Sequence, residues 1–210
     1  KSFGGVHALK HVQFSCIRGE VHILAGENGA GKSTVLKILS GLYPADSGEI
    51  YFNGRKVCFS NPWMAQKAGI AMVYQELTLI PDLTVLENVF LHKEKMKRTG
   101  AVDKADMMRQ LQVLMNTYGI HLDANAYVKT LSVAQQQMTE ILKCLLMDPE
   151  LIVLDEATSA LAQKEVQQLF SVIRTLKEKG KTVIFISHRM EEVHEIGDRV
   201  TVFKDGEYVG

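Results

Sequence analysis

The chain has 210 residues, 46% of them hydrophobic, enough for one well-buried domain with room for a subdomain. Its 24 basic and 24 acidic residues cancel, so composition gives no general attraction to nucleic acid or to an anionic membrane surface. No apolar run approaches the ~20 residues of a membrane span, and the first residues carry no signal-peptide pattern. Any membrane role is therefore expected to come through a partner. The three cysteines, Cys16, Cys58 and Cys144, are scattered without metal-type spacing and read as buried thiols of a reducing compartment.

The opening, Lys1 to Val6, reads as the continuation of something longer, with Phe3 as a core or edge aromatic. His11-Val12-Gln13-Phe14-Ser15 alternates as a half-buried strand. The β-branched and apolar run Val21 to Ala25 predicts a strand, and Ser33 to Ser40 a helix stopped by Gly41. Between them stands Gly26-Glu27-Asn28-Gly29-Ala30-Gly31-Lys32-Ser33-Thr34, which matches the phosphate-loop pattern G-x-x-x-x-G-K-[ST]. The physical logic is anion capture. Glycines let consecutive backbone N–H groups turn inward around a phosphate, and the helix start behind them adds partial positive charge. Lys32 is expected to reach the β- and γ-phosphates of a nucleotide, and the Ser33 hydroxyl to ligate Mg²⁺.

After a turn at Pro44 to Gly48, Glu49 to Phe52 and Lys56 to Phe59 flank Asn53-Gly54, a hairpin signal. Pro62 opens a short helix ending near Gly69, and Ile70 to Tyr74 reads as a buried strand that Gln75 leaves. Thr84-x-x-Glu87 is a capping box. The basic run from Lys93 to Arg98 reads as a solvated loop, and apolar spacing predicts a helix from Asp103 to Tyr118 ended by Gly119. Ser132-x-x-Gln135 is a second capping box, opening a helix to about Met147, and capping alone accounts for it. The whole stretch from about residue 84 to 147 is expected to be a helical subdomain without strands, inserted into an α/β core.

Leu151 to Leu154 is an apolar strand ending in Asp155 and Glu156. Burying it in a parallel sheet puts both carboxylates at the carboxyl end, where open α/β sheets bind ligands. An Asp in that position helps to hold Mg²⁺ in phosphate-loop ATPases. Gln163 to Lys179 predicts an amphipathic helix, Thr182 to Ile186 a buried strand from which Ser187 and His188 emerge, and Arg199 to Phe203 a last strand before the Asp205-Gly206 turn. Strands alternating with helices imply a largely parallel sheet with helices on both faces. The fold class is thus α/β: a phosphate-loop core, with an antiparallel β subdomain and a helical subdomain.

Several phosphate-loop classes share such a core. The ordered set here, namely the loop, Gln75, Leu131-Ser132-x-x-Gln135, Asp155-Glu156 and His188, resembles that of the ATP-binding-cassette (ABC) ATPases, and the resemblance covers essentially the whole chain. More narrowly, Phe3 to Leu9, Gly19 to His22, Gly26 to Gly29, Gln75-Glu76-Leu77 and Leu131-Ser132-Val133 look like the N-terminal cassette of ribose, xylose and galactoside-type sugar importers. In that group one polypeptide carries two cassettes in tandem. The resemblance implies ATP and Mg²⁺ as ligands and a second cassette as partner. It also implies transmembrane permease subunits, indirectly an extracytoplasmic sugar-binding protein, and a place on the cytoplasmic face of the inner membrane.

By the same resemblance, Phe3 stacks on adenine, and Gln75 touches Mg²⁺ and the attacking water. Asp155 helps to hold Mg²⁺, Glu156 is the general base, and His188 contacts the γ-phosphate. Ser132, Ala134 and Gln135 belong to the signature that covers ATP bound to the opposite cassette. Three positions depart from the family pattern: Ala134 where Gly is usual, Ala157 where Pro is usual, and Ser159-Ala160-Leu161-Ala162, which lacks the Asp many cassettes place at its end. Two other functions share the core. A soluble nucleotide-dependent clamp on ribosomes or DNA would carry insertions, basic arms or coiled coils. A phosphotransferase kinase would need an acceptor pocket and lid, and would leave Leu131-Ser132-x-x-Gln135 and His188 without a role.

Overall fold

Apolar runs and amphipathic stretches resolve into ten strands and seven α-helices in the computed structural model, which describes residues 1–210. In chain order these are β1 (Ser2–Phe3), β2 (Val6–His7), β3 (Val21–Gly26), α1 (Lys32–Leu39), β4 (Ile50–Phe52), β5 (Arg55–Val57), α2 (Pro62–Lys67) and β6 (Ile70–Val73). There follow α3 (Val85–Val89), α4 (Lys104–Tyr118), α5 (Val133–Leu145), β7 (Leu151–Asp155), α6 (Gln163–Glu178), β8 (Thr182–Ile186), α7 (Met190–Ile196), β9 (Arg199–Lys204) and β10 (Glu207–Tyr208). A 3₁₀ turn spans Val128–Thr130. None of the helices is long and apolar enough to cross a membrane.

Six strands form the central sheet in the order β10-β9-β3-β8-β7-β6, parallel throughout except for β10 at the edge. Side chains alternate across a strand, and the core divides accordingly. Ile23, Ile152, Leu154, Val183 and Phe185 fall in the larger cluster, of 32 buried residues, which also takes in apolar side chains of α3, α4, α5, α6 and α7. Their neighbours Leu24, Leu151, Val153, Ile184 and Ile186 fall in a second cluster of 11, with Leu36 of α1 and Ala65 of α2. Burial on both faces is why β7 and β8 are apolar apart from Asp155 at the end of one and Thr182 at the start of the other, with every residue buried.

Phe185 of β8 meets Phe170 of α6 edge to face, with centroids 6.1 Å apart and planes at 85°. Both are fully buried. Phe185→Ala is expected to cost about 3–5 kcal/mol of stability, read as a fall in the denaturant midpoint at unchanged slope. A loss below about 1 kcal/mol would mean that this layer repacks around the cavity.

The hairpin forms as expected, β4 and β5 pairing through a tight turn with positive φ at Asn53 (51°) and Gly54 (73°). Two expectations are corrected. His11 to Ser15 makes no strand. The burial alternation is present, with Val12 and Phe14 half-buried between exposed neighbours. However, His11 sits at φ 30°, outside the extended region, and the segment pairs with no strand. The only extended pairing before β3 is the β1–β2 hairpin. Cys58 is exposed, whereas Cys16 and Cys144 are half-buried, and burial pushes both of their thiols up to about 12.

From residue 84 to 147 the backbone is helical apart from loops and two isolated bridges, Thr84 with Tyr127 and Met96 with Val102. Both predicted capping boxes close. Glu87 N–H donates to Thr84 Oγ1 at 3.2 Å and Thr84 N–H to the Glu87 carboxylate at 3.0 Å. Gln135 N–H donates to Ser132 Oγ at 3.3 Å and Ser132 N–H to Gln135 Oε1 at 3.0 Å. Helix α7 carries no such signal: its N-cap is Arg189, with no side-chain cap, and the sequence reading missed it.

Candidate active site

Because β3, β7 and β8 run parallel, their carboxyl ends deliver Gly26, Asp155 and Ser187-His188 to one edge of the sheet. Strand order departs from sequence order on both sides of β3, and such a switch point opens a crevice beyond the strand ends. The loop leaving β3 depends on its glycines. Gly26 has φ 146°, and a Cβ there would stand 2.2 Å from the Phe203 carbonyl oxygen. Gly31, the N-cap of α1, has φ 97°, and a Cβ would stand 2.5 Å from Leu9 Cδ2. No side chain caps the first turn of α1, so the positive end of the helix is available to an anion.

Lys32 is 5% exposed, and its ammonium donates to the carbonyls of Gly26 at 2.8 Å and Glu27 at 2.9 Å. Burial is the main influence holding its pKa below the usual lysine value, while the Glu156 and Asp155 carboxylates pull it back up. The loop therefore curls around a cation, with an uncapped helix start beside it, an arrangement that suits the phosphates of a nucleotide. Ser33 Oγ donates to Asp155 Oδ1 at 3.4 Å. Asp155 is 4% exposed, and burial raises its carboxyl above the usual range, partly offset by the bond from Ser33. A hydroxyl and a carboxylate this close are hard oxygen donors, which fit Mg²⁺ better than a softer metal.

Glu156 follows β7 with φ 48°, an uncommon conformation for a non-glycine residue that turns its side chain out of the strand line. Gln75 Nε2 donates to its Oε2 at 3.3 Å. Glu156 and His188, with Thr158, Ser159, Ser187 and Arg189, line one pocket of about 10 Å³, close to the size of a single water. Fold topology thus brings together the loop, Gln75, Asp155, Glu156 and His188, which are widely separated in sequence.

Other named residues stand apart. Phe3, on β1, meets Tyr43 edge to face at 5.1 Å, with Lys1 Nζ 5.2 Å from its centroid, so it is fixed to the turn after α1. Tyr43 escaped the sequence reading. Ser132 and Gln135 bond to each other at the start of α5. Ala134 is 7% exposed and belongs to the larger core cluster, while Val133 beside it is 50% exposed. The methyl group of Ala134 therefore packs into the core. Also missed was Glu192, a buried carboxylate behind the pocket that receives Thr158 and Ser187, since an acidic residue in a helical first turn carries no special signal.

A phosphate loop opening a helix at the switch point of a parallel sheet defines a phosphate-loop nucleotide-binding fold. The family model described as ABC transporter matches residues 9–159, and the chain belongs to that family. It is 48% identical over 210 residues to a putative ribose/galactose/methyl galactoside import ATP-binding protein of Burkholderia cenocepacia, covering 100% of this chain and 40% of that one. It is 50% identical to a ribose import ATP-binding protein of Rubrobacter xylanophilus, covering 100% of this chain and 42% of that one. Among solved structures it resembles an ATP-binding cassette of an ABC transporter in its ADP conformation, at TM-score 0.88 and 26% identity over 100% of this chain and 86% of that one. A dimeric ATP-binding cassette in a post-hydrolysis state with ADP and Pi matches at TM-score 0.84 and 31% identity, covering 100% of this chain and 93% of that one.

Proposed function

We propose that this chain is the first of two tandem cassettes in the ATP-hydrolysing subunit of a sugar importer, on the cytoplasmic face of the inner membrane. The observation that carries the reading is the convergence of Gln75 on Glu156 at 3.3 Å and of Ser33 on Asp155 at 3.4 Å beside the Lys32 loop. The first pair suits activation of a water and the second suits a divalent cation, so together they fit hydrolysis better than binding alone. Relatives that are sugar import ATP-binding proteins and span the whole chain point to the transporter setting.

In this reading Gly26 to Thr34 wrap the triphosphate, Lys32 moves from its loop carbonyls to the β- and γ-phosphates, and Phe3 supports adenine. Ser33, Asp155 and Gln75 would hold Mg²⁺, which would supply neutralisation of the charge developing on the phosphates. Glu156 takes the proton of the attacking water, Gln75 orients that water, and His188 donates to the γ-phosphate. The start of α5 at Ser132 to Gln135 covers ATP held by the second cassette, where the Val133 and Ala134 amides, which the capping box leaves free, meet the γ-phosphate. Closing and opening of the two cassettes rocks the permease, and a sugar-binding protein outside delivers the cargo.

The test is reconstitution of the full-length protein with its permease in proteoliposomes. Uptake of a labelled pentose or hexose is expected only with MgATP on the cassette side, and ATP turnover is expected to rise when the loaded sugar-binding protein is added. Rapid hydrolysis indifferent to permease, binding protein and sugar would overturn the transporter reading.

A further inference from the structure

The pocket shared by Glu156 and His188 has a common support to which neither residue is hydrogen-bonded. Glu192, in the first turn of α7, is 4% exposed and takes two hydroxyl donors on one oxygen. Thr158 Oγ1 donates to Glu192 Oε2 at 3.0 Å, and Ser187 Oγ donates to the same oxygen. Arg189 closes the ring, its backbone N–H donating to Ser187 Oγ at 3.0 Å and its guanidinium to Glu192 Oε1 at 3.3 Å. Thr158 and Ser187 are themselves 4% and 3% exposed. Both hydroxyls donate to Glu192 Oε2, so their directions are fixed.

What the ring joins gives it a use. Thr158 lies two residues after Glu156, whose left-handed φ of 48° demands that the following loop be held. Ser187 immediately precedes His188 at the end of β8. The two loops come from different strands, and their hydroxyls share a single carboxylate oxygen. A buried ionised carboxylate persists only when its lone pairs are satisfied, so neither loop can shift alone without leaving the charge short of a partner.

We infer that Glu192 is a positioning residue that locks the loops of Glu156 and His188 into one unit, fixing the distance between water activation and γ-phosphate contact. This rests on the roles proposed above for Glu156 and His188. Misplacement of reacting groups by about 1 Å costs on the order of 100-fold in rate, whereas the Lys32 loop lies outside the ring and keeps nucleotide binding.

The test is the kcat–KM split in the full-length, reconstituted protein. Glu192→Ala is expected to lower kcat at least about tenfold while KM for ATP stays within about twofold. Glu192→Gln retains an amide oxygen that accepts both hydroxyls, and is expected to recover kcat to within about threefold of the parent. Thr158→Val and Ser187→Ala, which remove one donor each, serve where Glu192→Ala does not fold, and each is expected to lower kcat without moving KM. An unchanged kcat in these variants, or equal losses in kcat and ATP affinity with Glu192→Gln no better than Glu192→Ala, would overturn the proposal. Failure of the base assignment shows separately, as normal turnover in Glu156→Gln.

Discussion

Glu156→Gln is expected to lower ATP turnover by about 10²–10⁴-fold, the usual worth of a general base, with MgATP affinity retained. The amide keeps the shape and can still pair with Gln75, which stands 3.3 Å from the carboxylate, but it cannot take the proton from water. The left-handed backbone at Glu156 is equally open to Gln, so no new strain enters. The change therefore separates chemistry from folding and binding. Single-turnover hydrolysis measured beside nucleotide affinity checks it, and turnover within about threefold of the parent would remove Glu156 from the base role.

Lys32→Ala is expected to act on binding. The ammonium now holds two loop carbonyls, at 2.8 and 2.9 Å, and is proposed to exchange them for phosphate oxygens when a nucleotide enters. Hydrogen bonds to charged groups are worth about 1.5–3 kcal/mol, so ATP affinity should fall roughly 10- to 150-fold. AMP, which lacks the β- and γ-phosphates, should lose far less. Titrations showing equal losses for ATP and AMP would mean that the lysine supports the loop rather than the phosphates. The glycines offer no comparably clean probe: a Cβ at Gly26 would drive into the Phe203 backbone 2.2 Å away, and would disturb β9 before it disturbed a ligand.

Much of this protein is written in local sequence. Strands β7 and β8 are legible because burial on both faces of a parallel sheet requires unbroken apolar runs, and α3 and α5 because a Ser or Thr followed at three residues by Glu or Gln satisfies backbone groups on the spot. The phosphate loop is legible for the same reason, since glycines at fixed offsets before Lys32 and Ser33 answer a need that lies within one turn of chain. Each of these signals concerns groups only a few residues apart. Where pairing depends on distant backbone, local pattern misleads: His11 to Ser15 alternates like a strand and makes none, since its chain turns at His11, φ 30°, and it pairs with no strand.

Local pattern was enough to single out Lys32, Ser33 and Asp155, while the resemblance to the ABC ATPases singled out Gln75, Glu156 and His188 and the departure at Ala134. Only the tertiary structure decided how they stand. It placed Gln75 on Glu156 and Ser33 on Asp155, pairs 81 and 122 residues apart in sequence, turned the Ala134 methyl group into the core, and set Phe3 against Tyr43. It alone revealed Glu192 beneath the pocket, joined to Thr158 and Ser187. The reason is physical. A carboxylate in a first turn is an ordinary helix residue until folding removes its water, and which hydroxyls replace that water is settled by strands that meet only in the finished sheet.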